Sequence, residues 1–263
     1  MIEAMKDAFA LTGKNAIVTG GNRGIGLGIV QAFAQQGANV AIFARDAKAA
    51  QAVLDELTAQ YPGGKFAFYA TDISGTENCK TSVEAFVRDF GGIDILVNNS
   101  GIGPIGGLLD MPEDLSPWTT CLDIDLTGAL RMCYFVGRHM RARGKGGRII
   151  NISSNAGSLV NKPQILSAYS VAKAGINMLT KNLAVEMGPF GVTVNAIAPG
   201  FTWTAFMNLM SEPERKENTA KMPVGRFGTA LEIGALATYL ASEASEMVTG
   251  MICTIDGGYS LAV

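Results

Sequence analysis

The sequence has few of the residues from which hydrolytic and metal sites are usually built. It contains a single histidine, His139, and its four cysteines are far apart and form no C-x-x-C pair. A Ser-His-Asp triad needs its histidine beside a nucleophile, and a zinc site needs clustered ligands. We therefore expect no triad hydrolase and no metal site, and we expect the cysteines to be buried in a reducing compartment.

The chain also lacks an excess of charge and a long apolar run. Its formal net charge of -2 gives no overall field that would attract nucleic acid or an anionic membrane. No apolar run reaches the roughly 18 residues of a membrane-spanning helix. The N-terminus, with Glu3 and Asp7, lacks the apolar core of a signal peptide. We expect a cytoplasmic protein with neither nucleic-acid nor membrane partners.

What the chain does contain is a regular alternation of short apolar runs and helical patterns. Since the runs are apolar on both faces, they predict buried parallel strands. No linker or repeat divides the chain, so the alternation predicts one α/β domain over 1–263, with 1–10 as an N-terminal extension. We therefore expect a Rossmann fold, a doubly wound seven-stranded parallel sheet with helices on both faces. The predicted strands are Asn15–Thr19, Asn39–Ala44, Lys65–Ala70, Ile93–Asn98, Arg148–Ser153, Thr193–Ala198 and Met251–Ile255, and the later helices are 113–143, 167–187 and Leu231–Ala241.

A glycine-rich turn follows the first predicted strand and leads into a helix. Glycine lets the backbone turn sharply and lets a pyrophosphate approach the amides at the helix N-terminus. Because the turn stands after the first strand of an alternating chain, it predicts a dinucleotide site. Its candidate cofactor-binding residues are Thr19, Gly20, Asn22, Arg23, Gly24, Ile25 and Gly26.

The end of the second predicted strand selects the cofactor. A carboxylate there would bond the ribose hydroxyls, whereas an arginine would pair with a 2′-phosphate. The chain has Ala44 followed by Arg45, and Arg23 offers a second cation nearby. We therefore expect NADP(H). The alternative is that both arginines are merely solvated and that Asp46 only caps the next helix.

A tyrosine and a lysine four residues apart form the candidate catalytic pair. Tyr169 and Lys173 lie on one face of a predicted helix. A nearby ammonium favours the phenolate, which makes the tyrosine a usable general acid/base. The preceding strand ends at Ser153 and Ser154, which places hydroxyl groups at the ligand side of the sheet.

These motifs together resemble the short-chain dehydrogenase/reductase family, over nearly the whole chain from about Leu11 to Tyr259. The turn has the family's T-G-x-x-x-G-x-G spacing, and the Tyr–Lys pair has its Y-x-x-x-K spacing. Asn98 to Gly101 resembles the family's N-N-A-G run, with Asn99 as the cofactor contact, and Asp72 with Ile73 resembles its adenine-contacting pair. Pro199 and Gly200, with Thr202 and Thr204, resemble its nicotinamide-holding segment, and Asp256 to Tyr259 resembles its C-terminal signature.

The resemblance implies an NADP(H)-dependent oxidoreductase that acts on CH–OH donors and interconverts a secondary alcohol and a ketone. Tyr169 would donate or accept the proton, and Lys173 would assist it and bond the nicotinamide ribose. Ser154, rather than Ser153, would orient the substrate oxygen. The family's catalytic asparagine falls at Asp125, whose main-chain carbonyl would hold a relay water near Lys173.

The substrate class stays open. The segment 200–222 resembles the family's substrate lid, and its apolar side chains favour a hydroxysteroid-like alcohol unless they pack on their own domain or on a neighbouring subunit. Lys162 and Gln164 suit a sugar hydroxyl or a carboxylate, and the sequence also resembles gluconate and polyol dehydrogenases.

Two other functions are carried as alternatives. A 3-ketoacyl carrier-protein reductase would explain six basic residues without an acid between Arg131 and Arg148, although a basic helix end is the simpler explanation. Val185 stands where such reductases tend to have a docking arginine. A non-catalytic cofactor-sensing regulator on the same fold would not need the Tyr169–Lys173 pair.

The helix at 113–143 carries apolar residues on more than one side, among them Leu130 and Tyr134. Because the sheet covers only one side of such a helix, a second subunit is the simplest cover for the other. The family resemblance points to this helix and to the helix at 167–187 as an interface. We therefore expect a homo-oligomer, most simply a tetramer.

Overall fold

A parallel sheet of seven strands forms the centre of the computed structural model, which describes residues 7–103, 105–160 and 165–262. The strand order is β3-β2-β1-β4-β5-β6-β7, and every neighbouring pair is parallel. This confirms the predicted doubly wound fold. The strands are β1 Asn15–Thr19, β2 Asn39–Ala44, β3 Phe66–Ala70, β4 Ile95–Asn98, β5 Gly147–Ile152, β6 Val192–Pro199 and β7 Ile252–Ile255.

Helices connect the strands and cover the sheet. Two of the predicted substrate contacts, Lys162 and Gln164, lie outside the described residues, as do the first six residues of the N-terminal extension. The helices are α1 Gly24–Gln35, α2 Ala47–Gln60, α3 Thr76–Phe90, α4 Ser116–Leu122, α5 Ala129–Arg143, α6 Ser167–Met187, α7 Glu212–Ala220, α8 Ala230–Ala241 and α9 Tyr259–Ala262.

Two hydrophobic clusters lie on opposite faces of the sheet. Ala16 and Val18 of β1 belong to one cluster, which also contains buried residues of α1 and α8. Ile17, between them, belongs to the other, together with residues of α3 and α5. Because successive side chains of a strand point to opposite faces, this division shows that the sheet is covered on both sides. That double burial explains why the strands are apolar throughout.

The predicted helix at 113–143 is wrong in two details. It begins at Ser116, with Pro117 in its first turn, and a π-helical segment, Asp123–Gly128, separates α4 from α5. A π-helical turn adds a residue per turn, and the spacing of apolar residues does not reveal one such turn inside a long helix. Asp125 lies in this π-helical segment and is 2% exposed.

The proposed lid segment packs on its own domain. It contains a two-residue strand, Thr202–Trp203, a 3₁₀ turn, Ala205–Leu209, and α7. Met207 and Met222 are buried in a cluster with Phe227 and Tyr259. Met207 and Met222, two of the apolar side chains that favoured a hydroxysteroid-like substrate, are therefore used in packing, whereas Trp203 is 52% exposed.

Local pairing neutralises part of the basic stretch. Arg131 lies 2.8 Å from Asp123 and Arg143 lies 2.7 Å from Asp94, measured between the nearest nitrogen and oxygen atoms. Within the described ranges, no helix is both long and apolar enough to cross a membrane.

Exposed apolar side chains on α5 and α6 predict self-association. Leu130, Tyr134, Val171, Met178 and Val185 are each between 47% and 81% exposed. Since burying this surface against a second copy is favourable, light scattering at micromolar concentration should give a mass well above the 27.6 kDa of one chain.

Met178→Glu should shift the mass toward one chain, because it places a charge in the predicted interface. Ala59→Glu, on the exposed side of α2, is the matched control and should leave the mass unchanged. A parent protein that scatters as a single chain would contradict the prediction.

Candidate active site

The turn between β1 and α1 is closed so tightly that only glycine fits at several positions. Gly20 and Gly24 have φ of 65° and 57°, in the left-handed region that favours glycine. A Cβ at Gly26 would lie 2.3 Å from the carbonyl oxygen of Gly20. Arg23 precedes α1 without a side-chain hydrogen bond to its first turn. The backbone amides of this first turn are therefore not capped by Arg23, and a pyrophosphate site requires such uncapped amides.

Thr19 and Asn99 join the ends of β1 and β4. The hydroxyl oxygen of Thr19 accepts hydrogen bonds from the backbone amides of Asn99, at 2.9 Å, and Ser100, at 3.0 Å. The Asn99 side-chain amide donates to the Thr19 carbonyl at 2.9 Å. Thr19 is 1% exposed. These bonds hold the glycine turn beside the loop that follows β4.

A cleft of about 670 Å³ opens at the carboxyl ends of β1, β2 and β4. It brings together ten of the predicted cofactor residues: Gly20, Asn22, Arg23, Gly24, Ile25, Arg45, Asp72, Ile73, Asn99 and Thr204. Thr71, Ser100, Ile102 and Ile124 also line it. Sequence reasoning did not name these four as cofactor contacts, although Thr71 precedes Asp72 and Ser100 lies within the run from Asn98 to Gly101. The lining is consistent with a dinucleotide that lies across the switch point between β1 and β4.

Two exposed arginines stand at this cleft. Arg23 and Arg45 are not among the ion pairs found in the described residues. Hydrogen bonds from Ser74 lower the pKa of Asp72, and the charge of Arg45 contributes to the same shift. Asp46 caps α2 by accepting from the Ala49 amide at 3.0 Å. Asp46 therefore has the capping role considered above. The guanidinium groups of Arg23 and Arg45 are available to an anionic ligand.

Several predicted residues do not line this cleft. Thr19 and Gly26 shape the turn from behind, and Pro199, Gly200 and Thr202 lie at and beyond the end of β6. Gly200 approaches the C-terminal signature so closely that a Cβ there would lie 2.4 Å from the Cβ of Asp256. Their cofactor contacts stay predictions.

Helix α6 holds Tyr169 and Lys173 one turn apart, as predicted. The Lys173 side-chain nitrogen, Nζ, lies 5.3 Å from the centre of the Tyr169 ring. It donates to the Ile152 carbonyl oxygen at 3.1 Å, and the residue is 4% exposed. Gly157 permits this burial, because a Cβ there would lie 2.8 Å from the backbone of Lys173. An ammonium is thus fixed at the end of β5, beside a phenol.

Asp125 contacts the same ammonium. Its Oδ2 lies 3.2 Å from Nζ of Lys173, as an ion pair, and its Oδ1 accepts from the Ile102 amide at 2.7 Å. Burial raises the pKa of Asp125, and the charge of Lys173 opposes that shift. Burial by itself lowers the pKa of Lys173, but Tyr169 and Asp125 outweigh burial and raise it.

The two candidate serines have different surroundings. The Ser153 hydroxyl donates to Asn177 Oδ1 at 2.6 Å and lies 3.2 Å from the Lys173 carbonyl oxygen, so it ties β5 to α6. The Ser154 hydroxyl oxygen accepts from the Ala156 amide at 3.2 Å. Its proton has no acceptor among the described residues, which supports the choice of Ser154. Sequence reasoning missed Asn177, because a helical asparagine carries no signal of its partner.

Clustered metal ligands are not found in the part of the chain that the structure describes. The four cysteines are buried free thiols, as expected. Burial raises the pKa of Cys133 to about 12, so this thiol stays protonated at neutral pH. The candidate chemistry of the site therefore rests on the phenol, the ammonium, the carboxylate and the hydroxyl group.

Comparison with known proteins agrees with the fold and the motifs. A family model described as enoyl-(acyl carrier protein) reductase matches residues 20–260. A short-chain type dehydrogenase/reductase from Mycobacterium marinum superimposes with a TM-score of 0.89 and 37% identity, over 96% of this chain and 98% of that one. The chain belongs to the short-chain dehydrogenase/reductase family and is an oxidoreductase acting on CH–OH donors.

The relatives within this family act on different substrates. A 3-oxoacyl-[acyl-carrier-protein] reductase of Chlamydia pneumoniae is 38% identical over 94% of this chain and 97% of its own length. A galactitol 2-dehydrogenase of Cereibacter sphaeroides is 37% identical over 97% of this chain and 98% of its own length. A gluconate 5-dehydrogenase of Burkholderia cenocepacia, solved with NADP and tartrate, has 31% identity and a TM-score of 0.91, with coverage of 98% and 99%.

Proposed function

We propose that this protein is an NADP(H)-dependent dehydrogenase/reductase that interconverts a secondary alcohol and a ketone in a polyol or sugar-acid substrate. The observation that carries the proposal is the buried ammonium of Lys173, which lies 5.3 Å from the ring centre of Tyr169. A cofactor-sensing regulator would have no use for a phenol held beside a buried cation. The pair therefore favours catalysis over sensing.

In the proposed mechanism for alcohol oxidation, the Tyr169 phenolate accepts the hydroxyl proton of the substrate. The Lys173 ammonium stabilises this phenolate, and the Ser154 hydroxyl donates to the substrate oxygen as charge develops on it. When bound, the nicotinamide would supply the hydride acceptor for alcohol oxidation and the hydride donor for ketone reduction. In that direction Tyr169 returns its proton to the ketone oxygen.

The cleft residues fit a dinucleotide with a 2′-phosphate. Ala44 leaves no carboxylate at the end of β2, and Arg23 and Arg45 stand beside it at the cleft. The α1 N-terminus and its glycines would hold the pyrophosphate. Lys173 would bond the nicotinamide ribose. The relative solved with NADP supports this choice of cofactor.

Two observations favour a polyol or sugar-acid substrate. Relatives with these substrates match almost the whole chain. In addition, Met207 and Met222 of 200–222, which we propose as the lid, are buried in a cluster with Phe227 and Tyr259. Their burial weakens the sequence argument for a hydroxysteroid.

A 3-oxoacyl carrier-protein reductase is the second candidate, because a relative with that activity is 38% identical. Val185 is 81% exposed where such reductases tend to have a docking arginine. The ion pairs of Arg131 and Arg143 further reduce the basic charge open to an acidic carrier. These features make this candidate the weaker one.

A substrate panel tests the proposed class. With NADP(H), kcat/KM should be highest for a polyol or sugar acid, or for the corresponding ketone. A 3-oxoacyl thioester and a ketosteroid serve as the competing substrates. A higher kcat/KM for the thioester would replace the proposed substrate by the second candidate.

The cofactor preference should depend on Arg45. We expect kcat/KM to favour NADP(H) over NAD(H), since a charge-assisted phosphate contact contributes about 1.5–3 kcal/mol. Arg45→Asp should abolish or reverse this preference. Lys48→Asp, an exposed change of the same charge on α2, is the control and should retain it. Equal kcat/KM for the two cofactors in the parent would contradict the proposal.

Removing the Tyr169 hydroxyl should abolish turnover and spare cofactor binding. Tyr169→Phe removes the proton-transfer group, which should reduce kcat by at least about 10²–10⁴-fold. NADPH affinity, measured by fluorescence titration, should change little. Activity within about tenfold of the parent would rule out this role for Tyr169.

A further inference from the structure

Among the described residues, Asp125 and Lys173 are the only aspartate, glutamate, lysine or arginine side chains that are buried. They come from different elements, the π-helical segment and α6. A buried charge is unfavourable unless it is paired and hydrogen-bonded. Each of these two groups is therefore the natural partner of the other.

Backbone contacts hold the pair in one geometry. The Ile102 amide donates to Oδ1 of Asp125, which directs Oδ2 toward Lys173. A Cβ at Gly101 would lie 2.6 Å from this Oδ2, so the loop after β4 can approach only with glycine there. The Ile152 carbonyl oxygen accepts a hydrogen bond from the ammonium. This bond uses one of the three N–H donors of Lys173, and Asp125 contacts the ammonium as an ion pair.

We propose that Asp125 is the positioning residue and counter-ion of Lys173, and that its side chain raises the pH at which the Tyr169–Lys173 pair becomes active. This inference rests on the proposed function. A carboxylate beside the ammonium offsets part of its charge and repels a phenolate, whereas an amide of the same shape would do neither. The carboxylate thus holds Lys173 in place but makes the phenolate harder to form.

The other groups around the pair do not take over this role. Tyr169 faces it from α6. Cys121 faces it from α4, and burial together with Asp125 raises the pKa of this thiol to about 11, so it is neutral. Asp123, in the same π-helical segment, pairs with Arg131 instead. The neighbouring strand β5 and the loop after β4 contribute the Ile152 carbonyl and the Ile102 amide.

Asp125→Asn is the direct test, because it removes the charge and keeps an acceptor for the Ile102 amide. The rise of kcat/KM with pH during alcohol oxidation should move to lower pH by about one unit. Asp123→Asn, the matched control, removes the same charge two residues away and should leave the profile in place. An unshifted Asp125→Asn profile in a folded protein would overturn the inference.

A spectroscopic titration separates this inference from the proposed function. Ultraviolet absorbance of tyrosinate, taken as the difference from Tyr169→Phe, follows Tyr169 without substrate. The pH at which this absorbance rises should be lower in Asp125→Asn than in the parent protein, and an unchanged pH would overturn the inference. A shift without turnover of any alcohol would contradict the proposed function and leave the inference standing.

A stability cycle covers the case in which Asp125→Asn alone does not fold. Lys173→Met leaves a buried carboxylate without its partner, so its Tm should fall. The double variant Asp125→Asn/Lys173→Met should be more stable than Lys173→Met, because neither charge remains. If the loss of Tm in the double variant equals the sum of the losses in the two single variants, the two side chains are not a pair.

Discussion

The parallel pairing of β1, β4 and β5 is the constraint on which the candidate site depends. Parallel strands end at the same edge of a sheet, so the turn after β1, the loop after β4 and the serines after β5 converge. Thr19 strengthens this convergence, since its hydroxyl oxygen accepts from the amides of both Asn99 and Ser100. A cleft with cationic groups forms there as a consequence of strand order.

The second requirement is that α6 lies close to the end of β5. Gly157 allows the approach, and the Ser153–Asn177 hydrogen bond secures it. Lys173 is thereby removed from water, and an unpaired ammonium in that position would be unstable. Asp125 and the Ile152 carbonyl supply the missing interactions. Catalytic geometry and the stability of the fold therefore rest on the same contacts.

The π-helical segment connects these two requirements. Within this segment Asp125 points inward and is buried, while Asp123 pairs with Arg131. Such π-helical turns are frequent at functional sites. Two acidic residues in one short segment thus take different roles: Asp125 is the partner of a buried cation, and Asp123 is the partner of the partly buried Arg131.

The sequence by itself determined the fold class, the order of strands and helices, the glycine turn and the Tyr169–Lys173 spacing. These features depend on local periodicity and on steric needs that each residue type carries with it. Only the tertiary structure decided that the Ser153 hydroxyl bonds Asn177, that Met207 and Met222 are buried, and that Asp125 reaches Lys173. Those outcomes join residues far apart in the chain, and their contacts arise only when the elements pack together.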